Sequence, residues 1–147
     1  MIIRDEFTVD APLDRVWTLL KDIPRVASCL PNVAITEVVD PKTYRATATV
    51  KVGPVQVSYK VTITVETMDD AQHLASFRVQ GDETRGRGGV RAQMTSQAFA
   101  ESENRTRVTL TADAQISGIV ASVGGRLIES VAKRQIAEFA ANLAKIV

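Results

Sequence analysis

The side chains that usually perform acid–base or metal chemistry are sparse in this sequence. It contains one histidine, His73, beside the Asp69-Asp70 turn, and one cysteine, Cys29. A single histidine without neighbouring cysteines or carboxylates does not build a catalytic triad or a typical zinc site. No pair of carboxylates has the spacing expected for acid–base work. The sequence therefore predicts no catalytic residues, no metal ligands and no cofactor.

Cys29 and one basic segment are the remaining chemical candidates. Cys29 precedes Pro31 at a predicted helix end, where it is either a reactive thiol or, as we favour, a small apolar group under Trp17. Residues 85–91 interleave three arginines with three glycines. Because no strand precedes and no helix follows these glycines in the manner of a phosphate loop, that motif is rejected. The segment is then a solvated strand end, or a docking surface for an acidic partner or lipid headgroups.

The composition indicates one globular domain, residues 1–147. Hydrophobic residues make up 45% and charged residues 24%, and the formal net charge is +1. A nearly neutral chain has no global field that would attract nucleic acid. The acidic start and the single cysteine favour a cytoplasmic protein without a secretory signal, and no stretch is apolar enough for a transmembrane segment. Peripheral contact with the inner face of a membrane stays open.

The first third of the chain predicts one strand and two short helices. Residues 3–9 form a β-like run, and Asp10-Ala11-Pro12 resembles a helix start with Asp10 as the cap. Apolar residues from Leu13 to Leu20 then follow at helical spacing. Pro24 begins a second short helical turn that ends at Pro31.

From Val33 the apolar period changes to two, which predicts six strands. Their apolar residues lie within 33–39, 44–52, 55–66, 75–79, 90–100 and 108–116. Short turns between successive strands predict an antiparallel meander, with Gly81 to Gly89 as a loose polar connection. After Gly118 the helical period returns, and it predicts a helix approaching thirty residues that contains Gly124-Gly125.

These elements predict an α+β fold in the order β-α-α-β-β-β-β-β-β-α. A curved antiparallel sheet of about seven strands wraps around the long C-terminal helix. Aromatic residues are only 5% of the chain, and many inward positions carry alanine, so we expect an internal apolar cavity. The alternative is a close-packed core with an irregular helix.

The predicted ligand site comprises the largest apolar residues on inward faces, together with flexible glycines at one end of the sheet. The ligand-binding residues are Trp17, Leu20, Leu30, Tyr59, Phe77, Met94, Leu110, Val123 and Leu127. The polar tips of Trp17 and Tyr59 could hydrogen-bond a carbonyl of a bound ring. The predicted portal comprises Gly53, Gly81, Gly89, Gly124 and Gly125, and alanine at Gly124 and Gly125 should slow ligand exchange with the fold intact.

Three stretches of the chain carry a family resemblance. They are residues 7–31 with Val16-Trp17 and Cys29-Leu30-Pro31, residues 51–59 with Val52-Gly53-Pro54, and residues 112–128. The chain resembles the START-like (SRPBCC, helix-grip) superfamily, and within it the carbon monoxide dehydrogenase G-subunit (CoxG) family. Asn32 departs from the glycine usual in that family, and asparagine tolerates the positive φ such a turn needs. Many members have a membrane-attaching tail beyond the long helix, and this sequence stops at Val147.

The resemblance implies a noncatalytic accessory protein of a CO dehydrogenase-type molybdenum enzyme, which either recruits that enzyme to the membrane or handles a quinone-like or lipid-like molecule. Two other hypotheses stay open. One is a cyclase- or dehydratase-like enzyme of the same fold, which needs a titratable residue in the pocket. The other is a protein-interaction module with an incidental cavity, contacting its partner through the arginine segment.

Overall fold

The computed structural model describes residues 1–147 and has the predicted order of elements. The N-terminal elements are β1 (Ile2–Val9), α1 (Leu13–Lys21) and α2 (Ile23–Ala27). The six strands that follow are β2 (Val33–Asp40), β3 (Thr43–Val52), β4 (Val55–Asp69), β5 (Leu74–Glu83), β6 (Gly88–Ser102) and β7 (Arg105–Gly118). A 3-10 helix (Val120–Val123) leads into the C-terminal helix α3 (Gly125–Ile146).

The seven strands form one antiparallel sheet in the order β1-β7-β6-β5-β4-β3-β2. β1 pairs with β7 along its whole length, so the first strand extends the meander at that edge. β2 lies at the opposite edge and pairs only with β3, with irregularities of register at Thr36 and Val39. The predicted period of two therefore gives one continuous sheet, and we call the side that carries α3 its inner face.

The start of α1 differs from the predicted cap. Asp10 is exposed, and Pro12 occupies the cap position without any side-chain hydrogen bond to the helix. Instead, the buried hydroxyl of Thr106 donates a 2.9 Å hydrogen bond to the carbonyl oxygen of Ala11 and fixes the segment before the helix. The carboxylate of Asp22 caps α2 by accepting from the Arg25 backbone N–H at 3.3 Å.

The long helix is shorter than predicted, because Gly124 breaks it. Gly124 has φ 94° and ψ 152°, a conformation that is essentially restricted to glycine. The chain before it is a separate 3-10 helix, and α3 proper has 22 residues. The prediction that Gly124-Gly125 lies inside one helix is therefore wrong: Gly124 is the joint between two helical segments and Gly125 is the first residue of α3.

The connection between β5 and β6 is also tighter than predicted. Gly81 lies within β5 and Gly89 within β6, so only residues 84–87 turn. Gly88 and Gly118 face each other across β6 and β7, both with positive φ. A Cβ atom on Gly118 would lie 1.9 Å from the carbonyl oxygen of Arg87. This close approach of two backbones fixes the turn in place of the expected loose loop.

The core is divided into packed groups at the two ends of α3. At one end Phe139 and Leu143 pack with α1, including Val16 and Trp17, and with Cys29. Asn142 Nδ2 also donates to the Cys29 carbonyl oxygen at 3.0 Å. At the other end Val131 packs with Val57, Tyr59 and Val120. A third, smaller group comprises Ile23, Tyr44 and Val65. No helix is both long and apolar enough to span a membrane.

Candidate ligand-binding site

The centre of the inner face lies between the two ends at which α3 is packed. Here Phe77 is paired with Met94, and Met94 with Ala112, in one row across β5, β6 and β7. Leu110 belongs to the next row, opposite Ser96. All of these side chains are half-buried, whereas Val131, Phe139 and Leu143 of α3 are buried. Because α3 packs most closely against β1 and β3, the central strands are its more distant neighbours.

The nine predicted ligand-binding residues fall into three groups. Trp17, Leu20 and Leu30 lie in or against the packed group around α1 and α2. Tyr59, Val123 and Leu127 belong to the group around the start of α3. Phe77, Met94 and Leu110 lie at the centre of the inner face. The nine residues therefore share the inner side of the molecule, and Phe77 also packs against the group around α1 and against the group of Ile23, Tyr44 and Val65.

Trp17 is buried, yet its polar tip is already engaged. The indole Nε1 donates a 2.8 Å hydrogen bond to Oδ1 of Asp70, in the turn between β4 and β5. Lys21 Nζ contacts the same oxygen at 2.9 Å. The His73 ring lies edge-on to the indole, with the ring centroids 5.6 Å apart. Trp17 therefore joins α1 to the turn, and the suggestion that its N–H is free for a ligand does not hold in this structure.

The hydroxyl of Tyr59 is the second polar tip that the sequence suggested for a ligand, and Tyr59 lies on the inner face. The Tyr59 side chain is buried, and burial raises the pKa of its phenol. Every inaccessible side-chain nitrogen or oxygen in the protein has a hydrogen-bond partner. Since the Tyr59 oxygen has no protein partner, it must border accessible space. It keeps a neutral O–H that can donate to a carbonyl or another acceptor.

Sequence analysis missed a buried ion pair next to Tyr59. Glu83 is only 4% exposed and lies opposite Tyr59 in the β4–β5 pairing. Its Oε1 accepts from Arg87 Nε at 3.0 Å and from the Arg85 backbone N–H at 2.9 Å. The hydrogen bond from Arg87 is the main reason that the pKa of Glu83 falls to about 2. Glu83 is therefore ionised and committed to the turn, which makes it unsuited to proton transfer. The Glu-x-x-x-Arg spacing was a signal that could have revealed the pair.

A second missed residue is Asp5, on the inward row of β1. Ile3, Phe7 and Val9 share its side of the strand, and Phe7 contacts Phe139 of α3 with ring centroids 5.9 Å apart. Asp5 is half-buried and lies opposite Leu110. The alternation of residues 3–9 could have placed a carboxylate on this face. No three His, Cys, Asp or Glu side chains converge on a point that could hold a metal ion.

The predicted portal glycines lie at one end of the sheet, in different environments. Gly53, with φ 61°, contacts the first turn of α3: a Cβ there would lie 2.8 Å from Leu127 Cδ2. Gly81 and Gly89 are held within paired strands. Around Gly124, by contrast, no atom lies within 4 Å of the position a Cβ would take. Of the five glycines, the one at the joint before α3 has the most open surroundings.

The chain matches the carbon monoxide dehydrogenase G-subunit (CoxG) family over residues 6–147. A comparison with curated protein sequences gave no significant match. Among solved structures, a conserved protein from Geobacillus kaustophilus has a TM-score of 0.88 at 23% identity, covering 99% of this chain and 93% of that one. The ZhuI aromatase/cyclase from Streptomyces sp. R1128 has a TM-score of 0.68 at 19% identity, covering 99% of this chain and 92% of that one. A START superfamily protein from Mycobacterium smegmatis has a TM-score of 0.69 at 14% identity, covering 99% of this chain and 96% of that one.

The match over nearly the whole chain shows that this protein belongs to the CoxG family. The fold is that of START-like, helix-grip proteins, as the sequence predicted. Family and fold together support a ligand-binding, accessory role.

Proposed function

We propose that this protein binds a hydrophobic small molecule, lipid-like or quinone-like, between the inner face of the sheet and α3. We further propose that it does so without catalysis, as an accessory protein of a CO dehydrogenase-type molybdenum enzyme. The observation that carries the proposal is the contrast along α3. Val131 packs the helix against one group, and Phe139 and Leu143 pack it against another, while the centre of the inner face is half-buried and includes small residues such as Ala92 and Ala112.

The chemistry of this region favours an uncharged ligand. The row formed by Phe77, Met94 and Ala112 is apolar, and removing apolar surface from water would provide most of the binding free energy. Burial raises the pKa of the Tyr59 phenol, and Arg87, which acts to lower it, is already paired with Glu83. The Tyr59 hydroxyl supplies one donor for an acceptor such as a quinone carbonyl.

A single binding experiment tests the proposal. Ala112 lies on the inner row, and replacing it with phenylalanine should fill the space between sheet and helix. Thr111 is the preceding residue of β7 and is exposed on the other side of the sheet, so Thr111→Phe is the matched control. We expect Ala112→Phe to weaken binding of a fluorescent quinone or fatty-acid analogue at least tenfold, roughly the effect of losing 1.4 kcal/mol, and Thr111→Phe to leave it unchanged. Equal binding by both variants and the wild type would contradict the site.

A second function, an enzyme of the cyclase kind, is favoured by one observation. Asp5 places a half-buried carboxylate on the inward row of β1, which meets the requirement for a titratable group near the site. In that case Asp5→Asn should abolish turnover of a cyclisable polyketone while leaving its binding intact. If the protein is a carrier, wild type and Asp5→Asn should both release the bound ligand chemically unchanged.

A further inference from the structure

A cleft of about 390 Å³ opens between the first residues of the chain and the start of α3. We call it the seam cleft, and define it by Met1, Ala114, Ile116, Ala121, Gly125 and Ile128, with Gln115 at its rim. Most of these residues are apolar, and none of them carries a charged side chain. The one charge beside this lining is the N-terminal ammonium of Met1, which donates to the Ala114 carbonyl oxygen at 2.9 Å. The side chains of the seam cleft therefore suit a hydrocarbon segment.

The floor of the seam cleft belongs to the inner face of the sheet. Ala114 and Ile116 are inward residues of β7, opposite Ala92 and Val90 of β6. Ile116 and Ile128 also pack against the group that contains Tyr59. The floor of the cleft and the surface that we propose binds the ligand therefore lie on the same side of β6 and β7.

The helical wall of the seam cleft is the start of α3, whose Leu127 and Ile128 pack against the group that contains Tyr59. It begins at Gly124, the joint before α3, and continues with Gly125, where a Cβ would lie 3.1 Å from Met1 Cε. Met1 is 41% exposed, and methionine is a flexible side chain that adapts to its neighbours. A movement of the Met1 side chain would widen the cleft without breaking the strand pairing of β7.

We infer that the seam cleft holds the hydrocarbon tail of an amphiphilic ligand whose ring or head lies on the inner face of the sheet. The inference rests on the proposed function, since it requires a ligand between the sheet and α3. It also relocates the route of access. The portal lies between β1, β7 and the start of α3, rather than at the turn between β5 and β6, which Gly88 and Gly118 hold closed.

A tail-length series of benzoquinones tests this inference by titration calorimetry. For the wild type, affinity should rise from the methyl to the decyl quinone by about fourfold for each methylene that is buried. Ala121 is exposed and lines the seam cleft, so Ala121→Trp should block it from outside. We expect this variant to bind the decyl quinone at least tenfold more weakly, roughly the loss of two buried methylenes, and to bind the methyl quinone as the wild type does.

Ser122→Trp is the matched control, because Ser122 is the exposed neighbour outside the seam cleft. It should leave the affinity for both quinones unchanged, and circular dichroism should show that both variants are folded. Wild-type affinity of Ala121→Trp for the decyl quinone would overturn the inference while leaving the proposed function standing. An equal loss in both tryptophan variants would also overturn it. If the wild type binds neither quinone, the proposed function fails for quinones and this inference with it.

Discussion

The indole Nε1 of Trp17 donates a 2.8 Å hydrogen bond to the Asp70 carboxylate, 53 residues away in the sequence. This bond joins α1 to the turn between β4 and β5, and Lys21 Nζ donates to the same oxygen at 2.9 Å. Together, the bond from Lys21 and that from Trp17 hold the pKa of Asp70 below its ordinary value. A large apolar side chain thus contributes to the core and also fixes a surface turn.

Replacing Trp17 with alanine should destabilise the protein by about 3–5 kcal/mol, the usual cost of deleting a large buried aromatic side chain. Trp17 is 5% exposed and belongs to the packed group that includes Leu20 and Leu143. The free energy of unfolding in urea measures the effect. Trp17→Phe retains an aromatic ring but loses the N–H, so its free energy of unfolding should lie between those of the wild type and Trp17→Ala. An unchanged midpoint for Trp17→Ala would contradict the assigned packing.

Glu83 should make the protein sensitive to acid. Its pKa in the folded protein is about 2, below the ordinary 4.5, chiefly because Arg87 donates to it. Ionised Glu83 therefore stabilises the fold fully above about pH 4.5, and this stabilisation is lost as the pH falls towards 2. We expect Glu83→Gln to be less stable than the wild type at pH 7. The difference should narrow progressively in urea unfolding curves as the pH falls from about 4.5 towards 2. A difference that is independent of pH would show that the charge of Glu83 is not the cause.

Alanine at Gly118 should be much more harmful than alanine at Gly86. Both glycines have positive φ, at 84° and 74°, so both substitutions strain the backbone by about 1 kcal/mol or more. Only Gly118 also has a carbonyl oxygen 1.9 Å from the Cβ position, whereas nothing lies within 4 Å at Gly86. Thermal unfolding should show a clearly larger loss for Gly118→Ala. Equal losses would mean that the close approach of Arg87 to Gly118 is absent in solution.

Thr106→Val should cost about 1–3 kcal/mol, although the two side chains have nearly the same shape. Thr106 is completely buried, and its hydroxyl is the side-chain donor to the Ala11 carbonyl oxygen before α1. Valine leaves that oxygen without this partner. Thr106→Ser keeps the hydroxyl and removes a methyl group, so chemical denaturation should show whether the hydrogen bond or the methyl group matters more. A valine variant as stable as the wild type would show that water replaces the hydroxyl.

The sequence was sufficient to predict the order of the elements, because the apolar period is a local property. In β3 and β4 the alternation from Tyr44 to Val65 specifies which side chains face α3. Gly124-Gly125 was harder to interpret. Two adjacent glycines are compatible either with an irregular point inside one helix or with a joint between two helices. Which of these forms depends on the path of the chain after β7. The φ of Gly124 decides it, and no local pattern encodes that angle.

The candidate site was less predictable, because its polar residues depend on contacts between distant segments. The bond from Trp17 to Asp70 has no counterpart in spacing or composition. Glu83 and Arg87 stood four residues apart in the sequence, but glycines around them suggested a solvated loop rather than a buried ion pair. Asp5 interrupts an otherwise apolar row, and a single polar residue at a strand position does not by itself reveal which side is covered.

The irregular register of β2 has a consequence for behaviour at high protein concentration. The outer side of this strand is unpaired, and Val38 and Val39 are 57% and 46% exposed there. Such a strand invites other chains to add to the sheet and initiate fibrils, which need regular segments of roughly six residues. Pairing with β3 runs regularly from Val33 to Ile35 and is then interrupted at Thr36 and again at Val39. The edge therefore offers only short regular segments to a foreign strand, which protects an apolar margin of the molecule against aggregation.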